Sequence, residues 1–326
     1  MNVRGVPVRA AAAVVSVILA AGLLFYLRDE FSGGEPVAES ETAAPGSPAP
    51  TTRPPGTLAP DTPQPGTHPP GHGATRRVAL NAKSSDFPRL KALGYDLVDV
   101  TADESLLATV PAGMRALLWV GNVQCGDFEL DLRDFKEAVL RFGHDPRVYG
   151  WYLSDEPDPG SCPEVAGELR LRADYIRRRA PGQVSFVSLT DFPMKPVAPD
   201  RIHADLYGVN PYPCRGSALT RARCDFPAMD QMVKMADVAG IPRSKMAPVL
   251  QTFGQSCSDG EREYWLPTRE QFREILDNWD RLVPRPRLEI SYSWGRQDGW
   301  VCPGLADATG GGHPDLQSLI KARYAR

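Results

Sequence analysis

The sequence predicts an α/β protein with a single (β/α)8 TIM barrel in residues 75–326. Strand-like and helix-like segments alternate along this region, which implies parallel strands joined by right-handed crossovers. Eight such strands fit into roughly 250 residues, the usual size of a closed barrel. No glycine-rich phosphate loop follows the first strand, so an open nucleotide-binding sheet is disfavoured.

Short segments rich in β-branched or aromatic residues form the predicted strands. They are residues 77–81, 97–100, 116–120, 148–153, 184–189, 206–209, 246–250 and 288–293. The predicted helices are residues 87–93, 105–110, 132–142, 163–179, 227–239, 268–282 and 314–324. Prolines interrupt the link 191–203, which is therefore expected to contain little helix.

The segment 1–30 predicts a membrane anchor or a signal segment. Its apolar run, residues 10–27, follows Arg4 and Arg9. As a helix this run would extend about 27 Å, close to the thickness of the bilayer core. The basic residues keep the N-terminus cytoplasmic and place the remainder outside. No A-x-A cleavage site follows Leu27, which favours a single-pass anchor over a cleaved signal and secretion, although both remain open.

Residues 31–74 are rich in Pro, Thr, Gly and Ala, and residues 32–74 contain no aromatic side chain. Such a stretch buries too little apolar surface to offset its ordering entropy, so it is expected to be a disordered linker. The net charge of −3 argues against a nucleic-acid partner, because binding phosphates requires a basic face.

Polar and aromatic side chains recur just after the predicted strands, where barrels carry their functional groups. Amides hydrogen-bond sugar hydroxyls, and aromatic rings cover the apolar face of a pyranose ring. The candidate substrate-binding residues are Trp119, Asn122, Asn210, Tyr212, Gln251 and Trp294. A polar, aromatic mouth also occurs in barrels of other function, so this pattern alone leaves the ligand open.

The fourth predicted strand runs into the sequence VYGWYLSDEP, residues 148–157. This run resembles the fourth-strand motif of clan A glycoside hydrolases, which are (β/α)8 barrels. The resemblance implies that Glu156 is the general acid/base, with Asp155 where the family usually has Asn. Residues 207–213 and 292–294 are similar to the sixth and eighth strands of the same family.

The seventh strand departs from that family, because Gln251 or Thr252 stands where the nucleophilic Glu is expected. Glycoside hydrolysis ordinarily uses two carboxyl groups, so a second one must come from elsewhere. Asp191 is the favoured partner. Asp127 and Asp298 are alternatives, and Asp155 either takes part in catalysis or supports its loop.

These residues are assigned the following roles. Glu156 protonates the leaving oxygen, and the charge of Asp155 raises the pKa of Glu156. Asp191 activates water or stabilises the oxocarbenium ion. Tyr212 and Gln251 orient the sugar, and Trp294 provides the stacking platform.

All six cysteines lie in predicted loops on one face of the barrel. Pairing cysteines of adjacent loops predicts disulfides Cys125–Cys162, Cys214–Cys224 and Cys257–Cys302, although six cysteines allow fifteen connectivities. An exported domain permits disulfides. No metal site and no cofactor are expected, because no C-x2-C pair is present and only His144, His203 and His313 lie in the barrel.

Two functions remain open. We favour an extracytoplasmic glycoside hydrolase that cleaves a poly- or oligosaccharide by general acid/base catalysis. The alternative is a non-catalytic carbohydrate-binding barrel on the cell surface, which the missing seventh-strand Glu supports. In either case the expected partners are a carbohydrate and, through residues 10–27, the membrane, and the protein is expected to be a monomer.

Overall fold

Eight parallel strands form a closed barrel in the computed structural model, and each strand pairs with the next along the chain until β8 returns to β1. The described residues are 74–216, 223–257, 262–307 and 313–325. The strands are β1 Arg76–Ala79, β2 Leu97–Thr101, β3 Arg115–Trp119, β4 Val148–Asp155, β5 Val184–Leu189, β6 Leu206–Val209, β7 Met246–Gln251 and β8 Leu288–Tyr292.

The helices alternate with these strands. Within the described ranges they are α1 Phe87–Leu93, α2 Glu104–Leu107, α3 Leu132–Phe142, α4 Val165–Arg179, α5 Pro199–Ile202, α6 Pro227–Ala239, α7 Arg269–Leu282 and α8 Pro314–Tyr324. The link between β5 and β6 holds only one 3-10 turn and the four-residue α5, as its prolines predict.

The predicted anchor or signal segment, residues 1–30, lies outside the described residues, as does the linker apart from Ala74. Among the helices that are described, none is long and apolar enough to cross a membrane.

Two apolar layers hold the barrel. Inward-facing side chains such as Leu97, Leu117 and Phe186 fill its interior. Outward-facing strand side chains such as Trp151 pack against the surrounding helices, which contribute side chains such as the fully buried Trp279 on α7. Close packing on both faces of a parallel sheet makes a rigid frame, and this frame fixes the positions of the strand ends.

All three predicted disulfides are confirmed. Cys125–Cys162 joins the loops after β3 and β4, Cys214–Cys224 closes one loop after β6, and Cys257–Cys302 joins the loops after β7 and β8. All of them lie at the carboxyl end of the barrel, where they tie down the loops around its mouth. Such bonds are typical of proteins that fold outside the cytoplasm.

Candidate active site

A cavity of about 450 Å³ opens at the carboxyl ends of the strands. This volume lies within the range of small-molecule sites. Side chains from the ends of β1, β2, β3, β4 and β8 contribute to the wall, and these side chains include Asp99, Trp119, Tyr152, Asp155 and Tyr292. The cavity therefore lies where (β/α)8 barrels carry their functional groups.

Glu156 follows β4 directly and has left-handed backbone, with φ at 51°. Its amide donates to the carbonyl oxygen of Ser188 at 3.0 Å, which holds the turn against β5. Successive residues of a regular strand point to opposite faces. The left-handed turn breaks that alternation, and the charge of Asp155 acts directly on the neighbouring Glu156 carboxyl.

Burial raises the pKa of Glu156 to about 7, and the negative charge of Asp155 adds to the increase. The Asn210 Nδ2 atom donates to Glu156 Oε1 at 2.9 Å, which partly offsets it. The charge of Asp191 contributes a further, smaller increase. Glu156 therefore keeps a substantial protonated fraction near neutral pH, as a general acid requires.

Asp155 ends β4 and lines the cavity. Its Oδ1 atom accepts a hydrogen bond of 2.7 Å from the hydroxyl of Tyr152. Burial raises the pKa of Asp155, while hydrogen bonds from Tyr152 and Ser188 pull it down. Burial also holds the pKa of Tyr152 well above its usual value, so this phenol stays a proton donor to the carboxylate.

Asn210 and Tyr212 follow β6, close to Glu156. Asn210 Nδ2 also bonds the hydroxyl of Ser188 at 2.8 Å, so the amide that touches Glu156 is fixed from a second side. Tyr212 is stacked on Tyr292 with ring centroids 5.7 Å apart and meets Phe253 edge to face at 5.1 Å. The structure thus brings both residues to the same end of the barrel as Glu156.

Trp119 lies at the end of β3, is half-buried and lines the cavity. Its indole meets Tyr152 edge to face, with centroids 4.8 Å apart. A second aromatic group forms across the loops after β7 and β8, where Tyr264 contacts Phe253 and Trp300. Sequence reasoning missed Tyr264 and Trp300, which lie in loops without any strand-end motif.

Of the six predicted substrate-binding residues, Trp119 lines the cavity, and Asn210 and Tyr212 are buried near Glu156. The expectations for the other three, which are buried elsewhere and do not line the cavity, are corrected. Trp294 is fully buried in the outer apolar layer, where its indole N–H donates to Asp86 and its ring packs against Tyr95. Asn122 is buried as well, and its amide bonds the hydroxyl of Ser154 and the loop carbonyl of Gly126. Both side chains therefore contact other parts of the protein and do not face the cavity.

Gln251, at the end of β7, is the third correction. Its side chain is 0% exposed, and its Oε1 atom accepts from the amide of Cys214 at 2.8 Å. Its Nε2 atom donates to the carbonyls of Cys214 and Trp265 at 3.1 and 3.2 Å. Gln251 therefore ties the loop after β6 to the loop after β7 and has no group left to orient a sugar.

Asp99 is the cavity carboxyl that sequence reasoning missed. It lies on β2 between Val98 and Val100, and its Oδ1 atom accepts from the amide of Asn81 at 2.9 Å. Burial raises the pKa of Asp99 to about 6. The available signal was a charged residue inside an apolar strand, at the same alternate positions as the core residue Leu97.

Of the remaining predicted carboxyls, Asp127 and Asp298 are exposed on the loops after β3 and β8. Asp191 is exposed on the loop after β5. It acts on Glu156 through its charge, and its Oδ1 atom accepts a hydrogen bond of 3.4 Å from the hydroxyl of Thr190. Over the described part of the chain, no group of three or more His, Cys, Asp or Glu side chains could hold a metal ion.

Similarity to known proteins appears at the level of structure. No protein-family model and no curated protein matches the chain. A GH18 chitinase from the chitin utilization locus of Flavobacterium johnsoniae superimposes with a TM-score of 0.51 at 10% identity, over 77% of this chain and 94% of the chitinase. A Lactobacillus rhamnosus β-glucuronidase gives 0.53 at 15% identity, over 78% of this chain and 50% of that enzyme.

A calcium-binding mutant of a Bacteroides uniformis β-glucuronidase gives a TM-score of 0.55 at 12% identity, over 77% of this chain and 34% of that protein. The chain has a (β/α)8-barrel fold, which it shares with these glycoside hydrolases. It spans half or less of the length of these two glucuronidases. At such identities the likeness concerns the fold, and the chemistry must be argued from the site itself.

The mouth of this barrel holds a carboxyl with a pKa near neutrality, Glu156, beside a second carboxyl, Asp155. The pair can hold and release a proton at Glu156 while Asp155 carries negative charge. That combination suits the cleavage of an acetal, where a leaving oxygen needs a proton and the remaining sugar cation needs an anion.

Proposed function

We propose that the protein is an extracytoplasmic glycoside hydrolase with Glu156 as its general acid. One observation carries the proposal. The Glu156 carboxyl lies at the mouth of a glycoside hydrolase-type barrel with its pKa raised to about 7 by burial and by Asp155. A carboxylic acid that stays protonated near neutral pH is what protonation of a glycosidic oxygen requires.

In the proposed reaction Glu156 transfers its proton to the glycosidic oxygen as the bond from that oxygen to the anomeric carbon breaks. The aglycone leaves as an alcohol, and Glu156 becomes a carboxylate stabilised by the Nδ2 hydrogen bond from Asn210. Water then adds to the anomeric carbon and gives up a proton, which restores Glu156 to its acid form.

Asp155 is the second carboxyl in this proposal. It lines the cavity and is oriented by the hydroxyl of Tyr152, so its charge can face the developing oxocarbenium ion. Asp191 is exposed, and in this scheme it supports the reaction only by raising the pKa of Glu156. Trp119 is proposed to contact the sugar. The buried Asn210 and Tyr212 are proposed to position Glu156 and Tyr292.

The three disulfides support this location, because such bonds form in oxidising compartments. We infer that residues 10–27 anchor the chain in the membrane or direct its export. The substrate is then a poly- or oligosaccharide outside the cytoplasm.

The test uses the full-length protein with its disulfides intact. Reducing-end release is measured on a panel of neutral, amino and acidic polysaccharides, with Glu156→Gln and the control Glu129→Gln assayed in parallel. Glu129 is an exposed carboxyl on the loop after β3, so its variant matches the loss of charge alone. We expect release to fall about 100- to 10,000-fold in Glu156→Gln and to persist in the control. Equal release by all three proteins would contradict the assignment.

A non-catalytic carbohydrate-binding barrel is the second candidate. The observation that favours it is Gln251, a buried amide at the end of β7 where the catalytic nucleophile of similar barrels is expected. Binding of a polysaccharide with equal affinity by wild type and Glu156→Gln, without release from either, supports this candidate.

A further inference from the structure

The charged side chains that line the cavity at the barrel mouth are all acidic. Two carboxyl groups, Asp99 and Asp155, contribute to its wall, and the other side chains there are neutral. No Lys, Arg or His is among the lining residues in the described part of the chain. Glu156, next to Asp155, adds a third carboxyl at the same mouth.

These carboxyls have no cationic partner within the described ranges. The ion pairs there involve other acidic residues, and none includes Asp99, Asp155 or Glu156. The charges that act on Glu156 are those of Asp155 and Asp191, both negative. A partly buried carboxylate without a counter-ion is unfavourable, so each group gains from either a proton or a cation.

Asp99 is the group best placed to receive a cation. The backbone amide of Asn81 donates to its Oδ1 atom at 2.9 Å, so the carboxyl is held within β2 on the rigid barrel. Asp155 is committed to the hydroxyl of Tyr152 on β4. The cavity also contains Asn81 and Gln297, joined by a 3.2 Å hydrogen bond, which offer neutral amide groups to sugar hydroxyls.

A ligand's charge decides how it fits such a wall. An ammonium group supplies the missing positive charge and forms a charge-assisted hydrogen bond with a carboxylate. A uronic acid brings a further carboxylate to a wall that has no cation to pair with it, and like charges at this range repel. A neutral sugar meets neither effect.

We propose that the sugar bound in this cavity carries a free amino group as an ammonium, and that Asp99 is the specificity residue that pairs with it. This inference rests on the proposed function and names its substrate class: glycosides of amino sugars, in preference to neutral sugars and to uronic acids. Glu156 and Asp155 keep their roles at the bond that is cleaved, while Asp99 binds the ammonium group of the sugar.

The test measures dissociation constants of the full-length protein for four methyl glycosides in both anomeric forms: glucosaminide, N-acetylglucosaminide, glucoside and glucuronide. We expect the glucosaminide to bind at least about tenfold more tightly than the others, because only its ammonium group can form a charge-assisted hydrogen bond with Asp99. This ranking in the wild type needs no variant and so does not depend on a variant's folding.

Asp99→Asn keeps the acceptor for the Asn81 amide and removes only the charge. It is expected to reduce the advantage of the glucosaminide about tenfold, while Glu129→Gln leaves the ranking unchanged. The inference is overturned if the glucosaminide binds no better than the glucoside, including no measurable binding of any, or if Asp99→Asn keeps the wild-type ranking. Polysaccharide cleavage that depends on Glu156 would then still support the proposed function, whereas its absence would remove both.

Discussion

Asp155 and Glu156 are adjacent in the chain, but their carboxyl groups accept hydrogen bonds from different residues at the barrel mouth. The left-handed backbone of Glu156, at φ 51°, places it against Asn210 while Asp155 stays on Tyr152. For a residue other than glycine this conformation costs roughly 1–2 kcal/mol. The hydrogen bond from the Glu156 amide to Ser188 helps to hold it.

Activity is expected to fall as the pH rises above about 7, because Glu156 then loses the proton that it must donate. Asp155→Asn removes the neighbouring negative charge, which lowers the pKa of Glu156. The alkaline limb of the pH–rate profile should therefore move about one unit lower. The check is kcat/KM against pH for both proteins; an alkaline limb at the same pH in both would argue against electrostatic coupling between the two carboxyls.

The buried acids of the cavity are also expected to make the fold less stable at alkaline pH. Burial raises the pKa of Asp99 from 3.8 to about 6, so the folded protein binds this proton more tightly than the unfolded chain. The stabilisation is complete below about pH 4 and is lost as the pH rises through 6. The loss is at most about 3 kcal/mol, and less because the cavity admits solvent.

Urea unfolding at pH 5 and pH 8 measures this effect in wild type and Asp99→Asn. The free energy of unfolding should decline less over this interval in the variant, because the variant has no titrating group at this position. An identical decline in both proteins would show that Asp99 is not the group responsible.

Gln251 is expected to act as a structural clamp at the end of β7. Gln251→Glu places a carboxylate oxygen against the carbonyls of Cys214 and Trp265, where the amide now donates. We expect the free energy of unfolding to fall by about 2–5 kcal/mol, with no gain in reducing-end release. Gln251→Met, which introduces no charge, is the control and should cost less. A Gln251→Glu protein that stays stable and cleaves faster would show that this position does face the sugar.

The disulfide that closes the longer loop is expected to contribute more to the free energy of unfolding. Cys125 and Cys162 are 37 residues apart, and Cys214 and Cys224 are 10 apart. The loop-entropy relation gives about 4 and about 3 kcal/mol for the two bonds. Paired Cys→Ser variants, compared by urea unfolding, should therefore rank in this order. The reverse ranking would mean that native packing around the bonds outweighs loop entropy.

Much of the fold could be predicted from the sequence, because strand-like and helix-like segments alternate along residues 75–326. The segments 184–189, 206–209 and 132–142 were predicted with the observed bounds. The predicted fourth strand ended at Leu153, whereas β4 continues to Asp155 beyond an irregular register at Tyr152 and Ser154. A register shift depends on the neighbouring strand and leaves no periodic signal.

The site was harder to predict, because a strand-end motif does not say which way a side chain points. The motif led to Glu156, but Trp294 turned out to pack outward against Tyr95, and Gln251 inward against the loops. Asp99 was overlooked because it lies within a strand, where an acidic residue is easily taken for a break in the pattern. Its role depends on a cavity that only the closed barrel creates.

The most direct test of the central claim compares two leaving groups in Glu156→Gln and wild type. Once a substrate is identified, the natural glycoside is assayed beside an aryl glycoside of the same sugar, whose acidic phenol leaves without protonation. A general acid at Glu156 predicts that the variant loses about 100-fold or more on the natural glycoside and much less on the aryl glycoside. Equal losses on both substrates, or no loss on either, would contradict the account.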